Sequence, residues 1–83
     1  MTWNYRVIFY DDNWSDLQCC IHEVFYDEKG KIASWTADAV GVSGTNKKEL
    51  LQTLKQMKAA LDKPFLKEKQ VRDKLTLVEY KRE

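Results

Sequence analysis

Alternating apolar and polar positions predict two β-strands near the start of the chain. Residues 3–10 follow a period of two and place their large apolar side chains on one face. Those side chains are Trp3, Tyr5, Val7 and Phe9. Residues 17–26 are rich in β-branched and aromatic side chains and are partly apolar on both faces. Such a strand is typical of the centre of a sheet, or of a sheet whose second face a partner covers.

A hairpin and a third strand are predicted next. Residues 27–30 are turn formers and end at Gly30, where the loop is expected to need a positive φ. Residues 31–36 then form a strand that pairs back onto the second. The stretch 37–44 is expected to be extended, and it ends in Ser43 and Gly44.

After residue 45 the apolar residues follow helical spacing. They form one stripe made of Leu50, Leu54, Met57 and Leu61, with Leu51 alongside. Thr45 or Asn46 can cap this helix, and with Asn46 as the cap Glu49 completes a capping box. Pro64 ends the helix. We expect the stripe to be a principal part of the core, so that Leu54→Asp would unfold the domain.

The last residues fit two patterns. Val71, Leu75 and Val78 have helical spacing, whereas residues 76–80 have the composition of a strand. We predict a short helix or irregular turn followed by a strand near 75–80. The predicted fold class is α+β: an antiparallel sheet of three strands, or four with the tail, and one main helix on one face. Residues 1–64 would form the domain, and residues 65–83 a C-terminal extension.

Length and charge narrow the function classes. With 83 residues there is room for one domain, and no apolar run approaches the ~20 residues that span a bilayer. A membrane partner and a secretory signal are therefore not expected. Net charge is +1, but residues 1–44 carry −4 and residues 45–83 carry +5. Such a dipolar chain could pair with itself or with a charged partner.

The cysteines and the single histidine offer little chemistry. Cys19 and Cys20 are adjacent and have no other cysteine to pair with, which is typical of a reducing cytoplasm. Cys20 and His22 share one strand face and could supply two metal ligands or a nucleophile and its base. Two ligands are too few for a site, so a structural histidine packed near Trp35 is the favoured interpretation. We expect no metal, no cofactor and no catalytic residue.

Two other groups have a functional and a structural interpretation. Four carboxylates could form a magnesium site, but each is more simply explained as a turn former or a solvated acid. They are Asp11, Asp12, Glu23 and Asp38. Ser43, Gly44 and Thr45 could hold an anion at a helix start, although they lack the length and the lysine of a phosphate-binding loop. A helix cap is the simpler interpretation.

Two surfaces remain as candidates for binding. The candidate interaction surface lies on the second and third strands and consists of Cys20, His22, Val24, Tyr26 and Trp35. The candidate basic face lies on the helix and consists of Lys47, Lys48, Lys55 and Lys58. The aromatic residues concentrate in the acidic half of the chain and the cations in the other half. A nucleic-acid platform would interleave them.

Several segments resemble short bacterial proteins related to the HicB-like antitoxin domain. The segments that carry the resemblance lie within residues 3–64. They are Trp3-Asn4-Tyr5-Arg6, Ile21-His22-Glu23-Val24-Phe25-Tyr26-Asp27, Gly30-Lys31-Ile32, Trp35-Thr36, Ser43-Gly44-Thr45, the leucine-rich helix and Lys63-Pro64.

The resemblance implies a three-stranded antiparallel sheet with one helix, a partial ribonuclease H layout. It also implies dimerisation and binding of a small basic toxin ribonuclease. HicB antitoxins usually add a DNA-binding module, and residues 65–83 are too few for one. The catalytic carboxylates of ribonuclease H are not recognisable, so the resemblance implies no enzymatic activity.

Three functional hypotheses follow. The favoured one is a cytoplasmic, non-enzymatic protein-interaction module that binds itself as a homodimer or a small basic protein such as a toxin. The contact is expected at an exposed sheet edge or sheet face. The second is a nucleic-acid-binding protein that uses the basic helix and the tail. The third is a small enzyme around Cys20, His22 and Glu23.

Overall fold

A computed structural model describes residues 2–10 and 19–80. Within these residues the chain forms five strands, one α-helix and one 3₁₀ turn. In chain order these are β1 (Thr2–Phe9), β2 (Cys19–Tyr26), β3 (Ile32–Trp35), α1 (Lys47–Ala59), the 3₁₀ turn (Ala60–Asp62), β4 (Leu66–Val71) and β5 (Lys74–Glu79). None of the described helices is long and apolar enough to cross a membrane.

The strands form one mixed sheet in the order β3-β2-β1-β4-β5. Strands β1, β2 and β3 are antiparallel neighbours, and β4 and β5 form an antiparallel hairpin. Strand β4 lies parallel to β1, where Ile8 is the partner of Leu66. The α+β class is confirmed, while the expected count of three or four antiparallel strands is wrong.

The extra strand is β4, in the segment where a short helix or turn was predicted. Helical spacing of Val71, Leu75 and Val78 did not decide the structure there, because the backbone groups of β4 pair with β5 over their whole length. Leu66 and Leu77 then bury their side chains on one face of the sheet. The predicted strand near 75–80 is confirmed as β5.

The strands of the first half follow the predicted pattern. The hairpin between β2 and β3 closes through Asp27, whose carboxylate accepts hydrogen bonds from the backbone N–H groups of Lys29 and Lys31 at 2.9 and 3.0 Å. Gly30 has φ +79°, as the loop was expected to require. The predicted second strand is observed from Cys19 onward, and its first two positions lie outside the described residues.

The core lies on the face of the sheet opposite the helix, which we call the concave face. Its centre is a cluster of four buried side chains, Ile8, Val24, Leu66 and Leu77. Ile8 and Val24 are 0% exposed. Half-buried side chains pack around this cluster, namely Tyr10, Tyr26, Ile32 and Trp35. Because successive side chains of a strand alternate between faces, Val7 belongs to the other face, on which α1 lies.

Helix α1 and the 3₁₀ turn contact the sheet through a narrow part of their surface. Met57 and Ala60 are buried, as is Val7 of β1. The leucines of the predicted core stripe are exposed instead: 36% for Leu50, 47% for Leu54 and 58% for Leu61. The expectation that the whole stripe forms core is therefore wrong, and only its Met57 is buried.

The leucines are exposed because of the path that the chain takes after the helix. At about 100° per residue, Leu50, Leu54 and Leu61 sit roughly a quarter of a turn away from the side of the helix that carries Thr53 and continues to Ala60 of the 3₁₀ turn. The following segment must then deliver Leu66 to its place beside Ile8. This connection determines which side of α1 faces the sheet. The leucines therefore lie beside the contact between α1 and the sheet, and not within it.

The start of α1 follows the predicted cap with one difference. Asn46 is the N-cap, and its side-chain oxygen accepts a hydrogen bond from the Glu49 N–H at 2.9 Å. The Glu49 carboxylate reaches one residue further back than a capping box requires, and it accepts from both the N–H and the hydroxyl of Thr45. These two hydrogen bonds, that of the hydroxyl first, lower the pKa of Glu49 below its usual range.

Candidate functional site

The residues of the candidate interaction surface do lie on one face of the sheet, but that face is largely closed. Val24 and Trp35 are directly paired partners of β2 and β3, so their side chains share the concave face. His22 is 2% exposed and Val24 is 0% exposed. In the fold these two side chains are covered by the protein itself, so the candidate interaction surface is not an open surface at His22 and Val24. Cys20, Tyr26 and Trp35 are half-buried.

Strands β4 and β5 supply the cover. The indole N–H of Trp35 on β3 donates a hydrogen bond to the Glu68 carboxylate on β4 at 3.0 Å. Strands β2 and β1 lie between them in the sheet. The two side chains therefore reach toward each other across Val24 and Ile8, which lie on the intervening strands. The tail of the chain thus completes the core that the first three strands leave open.

His22 is held as a structural side chain. Its Nδ1 lies 2.9 Å from the backbone oxygen of Thr36. A carbonyl oxygen can only accept, so Nδ1 donates this hydrogen bond. The Tyr10 hydroxyl lies 3.5 Å from Nε2, within hydrogen-bonding reach. Both ring nitrogens thus have partners inside the fold, which supports the structural interpretation of this histidine.

Arg6 connects three segments at the edge of the concave face. It donates from one terminal nitrogen to the Tyr26 hydroxyl at 3.1 Å and from the other to the Pro64 carbonyl oxygen at 2.8 Å. Tyr26 in turn donates to the Asn4 side-chain oxygen at 2.8 Å. This network ties β1 to β2 and to the residues that lead into β4, so its polar groups serve the fold.

The candidate metal site does not assemble among the described residues. In those residues no three side chains of His, Cys, Asp or Glu come together in a way that could hold a metal ion. Glu23 alternates with His22 on β2 and so points to the opposite face. Asp38 is exposed in the loop after β3. Asp11 and Asp12 lie outside the described residues.

The four lysines of the candidate basic face are all exposed. At about 100° per residue they fall within one sector roughly 100° wide along α1. They therefore form one positive strip of surface, with Leu51 exposed among them. The aromatic side chains that would stack with bases are not part of it, because this sector carries only aliphatic and charged residues.

Beside the lysines lies a surface that we call the leucine stripe, defined as Leu50, Leu51, Leu54 and Leu61. Leu51 is the second most exposed of the four, at 52%. Three of these leucines, Leu50, Leu54 and Leu61, lie within a sector of about 40°. The stripe is thus an apolar strip with the protein's own sheet on one side and lysines on the other. Exposed apolar surface of this kind commonly marks an interface.

Sequence reasoning identified these leucines but assigned them to the core. Their spacing also fits the alternative that they form a contact surface on the outside of α1. Leu50, Leu54, Met57 and Leu61 are separated by four, three and four residues, which is the spacing of the seam between two helices in a coiled coil. A helix that carries such a seam and also a side of small residues can contact two surfaces at once.

A shallow crevice lies between β1 and α1. Its lining includes Trp3, Tyr5, Gln56 and Ala59. Lys63 is the single charged side chain that lines it. The crevice is open to solvent, and no acid in its lining lies beside a base or nucleophile. Its lining therefore does not indicate a catalytic site.

Comparison with known proteins gives no relative on which to base a function. No family model matches the chain, and neither a curated protein nor a solved structure was found to be similar to it.

Proposed function

We propose that this chain is a non-enzymatic protein-interaction module and that α1 presents its binding surface. One observation carries the proposal. The concave face of the sheet is closed by β4 and β5, whereas the leucine stripe on α1 has nothing over it among the described residues. The contact surface is thus the helix, and not the sheet face that the sequence pattern favoured.

The energetics of α1 support an interface there. A helix of 13 residues is marginal in water without tertiary contacts, and here only Met57 is buried against the sheet. The exposed fractions of the four leucines add up to the surface of about two fully exposed leucine residues. Burying that area would contribute about 3–6 kcal/mol per chain. A partner on this stripe would therefore stabilise the helix as well as gain affinity.

The resemblance to HicB-like antitoxins belongs to the same proposal. The antiparallel strands β1, β2 and β3 followed by one helix are the arrangement that the resemblance implies, which supports it. Dimerisation is also what the resemblance implies, and it agrees with an apolar helix surface. A small basic partner fits the helix less well, because the leucine stripe adjoins exposed Lys58 and Lys55. A cytoplasmic location, favoured by two adjacent cysteines with no third cysteine to pair with, completes the proposal.

Site-specific photo-crosslinking in the native cells tests this function. A photoreactive residue replaces Leu54 in one variant and Lys29 in the other, the latter as an equally solvent-accessible control in the β2–β3 hairpin. We expect a discrete protein adduct at position 54 and none at position 29. Either a chain that crosslinks to no protein at position 54 or one that gives the same adducts at both positions would contradict the proposal.

Binding of nucleic acid is the second candidate, favoured by the strip of exposed lysines. Each lysine that contacts a phosphate makes binding more sensitive to salt. If the strip bound nucleic acid, the double variant Lys48→Glu and Lys55→Glu would lose retention on a single-stranded polynucleotide column at low salt. Our proposal expects the wild-type chain to elute from that column at physiological salt, because no aromatic side chain accompanies the lysines.

A further inference from the structure

We propose that the partner of α1 is an acidic amphipathic helix of another protein, which lies beside α1 along the leucine stripe. This inference rests on the proposed function and names the class of its partner. The apolar side of that helix would cover Leu50, Leu54 and Leu61. Its glutamate or aspartate side chains would pair with the lysines of the candidate basic face, which begins at the edge of the stripe.

The charge of α1 lies on one side and is not neutralised within the helix. The helix carries four lysines and a single acid, Glu49. At about 100° per residue, Glu49 lies about 100° or more around the helix from every one of the lysines, and its carboxylate accepts two hydrogen bonds from Thr45. Within the described part of the chain, the side chains of the four lysines make no ion pair. This side of α1 therefore attracts a partner with negative charge.

Apolar and positive side chains are interleaved on this surface. Leu51 is 52% exposed, and Lys47 and Lys55 lie four residues before and after it. Residues four apart are neighbours on a helix surface, so an occupant that covers Leu51 comes within reach of both ammonium groups. Lys58 is related in the same way to Leu54. The partner that satisfies both kinds of contact carries acids directly beside its apolar residues.

The direction of the leucines favours a helix as the occupant. Leu50, Leu54 and Leu61 lie roughly a quarter of a turn from the side of α1 that faces the sheet. They therefore point along the surface of the sheet and line a corner between it and the helix. The five strands span about 19 Å, and a helix is ~10 Å wide. The sheet thus has the width for a second helix beside α1.

Two other anionic occupants fit this corner less well. A membrane surface is flat, and an amphipathic helix binds it with apolar residues that point away from the rest of the protein. A nucleic acid would place its phosphates on the lysines and leave Leu50 and Leu54 in water, because the phosphate backbone offers them no apolar surface. An acidic helix covers the leucines and pairs with the lysines at the same time.

Binding of stapled peptides, followed by fluorescence anisotropy, tests the partner class. The acidic peptide is a helix of about 14 residues with leucines spaced four and three residues apart and glutamates beside them. In the matched basic peptide, lysine replaces each glutamate. We expect the acidic peptide to bind in the micromolar range, at least about tenfold more weakly when salt is raised to about 0.5 M, and the basic peptide not to bind. Equal binding of both peptides, or binding of neither, would overturn the inference.

Charge reversal on α1 locates the site. In the double variant Lys47→Glu and Lys58→Glu, we expect loss of the acidic peptide and gain of the basic one, an exchange that a merely destabilised protein would not show. The control double variant Lys29→Glu and Lys31→Glu makes the same change in net charge on the β2–β3 hairpin, where both lysines are exposed. It should bind the acidic peptide like the wild type. A control that loses the peptide as completely would show attraction to overall charge and contradict the site.

The leucine stripe should contribute as well as the lysines. Leu54→Gln should weaken binding of the acidic peptide about fivefold, because apolar contact is lost. The matched control Leu75→Gln should bind like the wild type, since Leu75 is 44% exposed but lies on β5. Unchanged binding in Leu54→Gln would mean that the lysines act alone and would overturn an amphipathic partner. Binding to phosphatidylserine vesicles that Leu54→Gln loses would assign the stripe to a membrane and would also overturn it.

The two proposals can fail separately. If position 54 crosslinks to a protein in cells but the acidic peptide does not bind, the acidic helix is wrong and the interaction module stands. If the adduct at position 54 is the chain itself, the result is the same. If position 54 gives no adduct, the proposed function is wrong, and with it the inference that rests on it.

Discussion

The indole nitrogen of Trp35 lies 3.0 Å from a carboxylate oxygen of Glu68, and this hydrogen bond joins β3 to β4 across two intervening strands. Beneath it lie Val24 and Ile8, the most completely buried apolar side chains among the residues that the structure describes. The first three strands alone would leave these side chains open. Because the tail covers this face of the sheet, the exposed apolar surface lies on α1 instead.

A double-mutant cycle measures the strength of this bridge. Trp35→Phe keeps a large aromatic ring but removes the donor, and Glu68→Met removes the acceptor. Each single variant should lower the free energy of unfolding by about 1–3 kcal/mol, because a half-buried hydrogen bond with a charged acceptor is lost. In urea unfolding followed by circular dichroism, we expect a coupling energy of about 1 kcal/mol. Strictly additive single effects would show that the two side chains do not interact in solution.

The sequence predicted local structure better than it predicted which faces are covered. The strands of the first half, the Gly30 turn and the Asn46 cap each depend on a few neighbouring residues, and each could be read from the pattern. Strand β4 could not, because it is held by its pairing with β5 and, at Leu66, with Ile8 of β1, and its own composition indicates neither partner. The segment 66–71 carries little apolar alternation of its own, so its composition alone does not predict a strand.

The same limitation applied to the candidate surfaces. An apolar pattern on both faces of β2 indicates that each face is covered, but it does not say by what. Here β4 and β5 cover the concave face, so Val24 is core. Helical spacing of Leu54 indicates an apolar side of α1 but not whether that side meets the protein's own sheet. The rotation of α1 is set by the segment after it, and no local pattern contains that information.

His22 should contribute to stability without a metal. Replacement of His22 by Ala leaves the Thr36 carbonyl oxygen without its ring donor and opens a cavity, so we expect a loss of roughly 2–4 kcal/mol in the free energy of unfolding. Treatment of the wild-type chain with a chelator should leave its melting temperature unchanged. A melting temperature that falls with chelator and recovers with zinc would show that His22 and Cys20 do bind a metal.

The cap of α1 should make the helix sensitive to acid. The pKa of Glu49 is lowered because its ionised carboxylate accepts hydrogen bonds from Thr45. Its contribution to stability is therefore fully present above the usual pKa of a glutamate and is lost as the pH falls through the lowered value. In Glu49→Gln, helix content measured by circular dichroism should change less with pH in this range. An equal acid response in both proteins would contradict the role of Glu49.

The central claim is that the sheet face forms the core and the leucine stripe lies outside it. Urea unfolding of two matched variants at low micromolar concentration tests this most directly. Val24→Asp buries an unpaired charge and should leave the chain unfolded, since the cost is comparable to the total stability of a small domain. Leu54→Asp should remain folded, with a midpoint close to that of the dilute wild-type chain. Cooperative folding of Val24→Asp together with unfolding of Leu54→Asp would contradict the account.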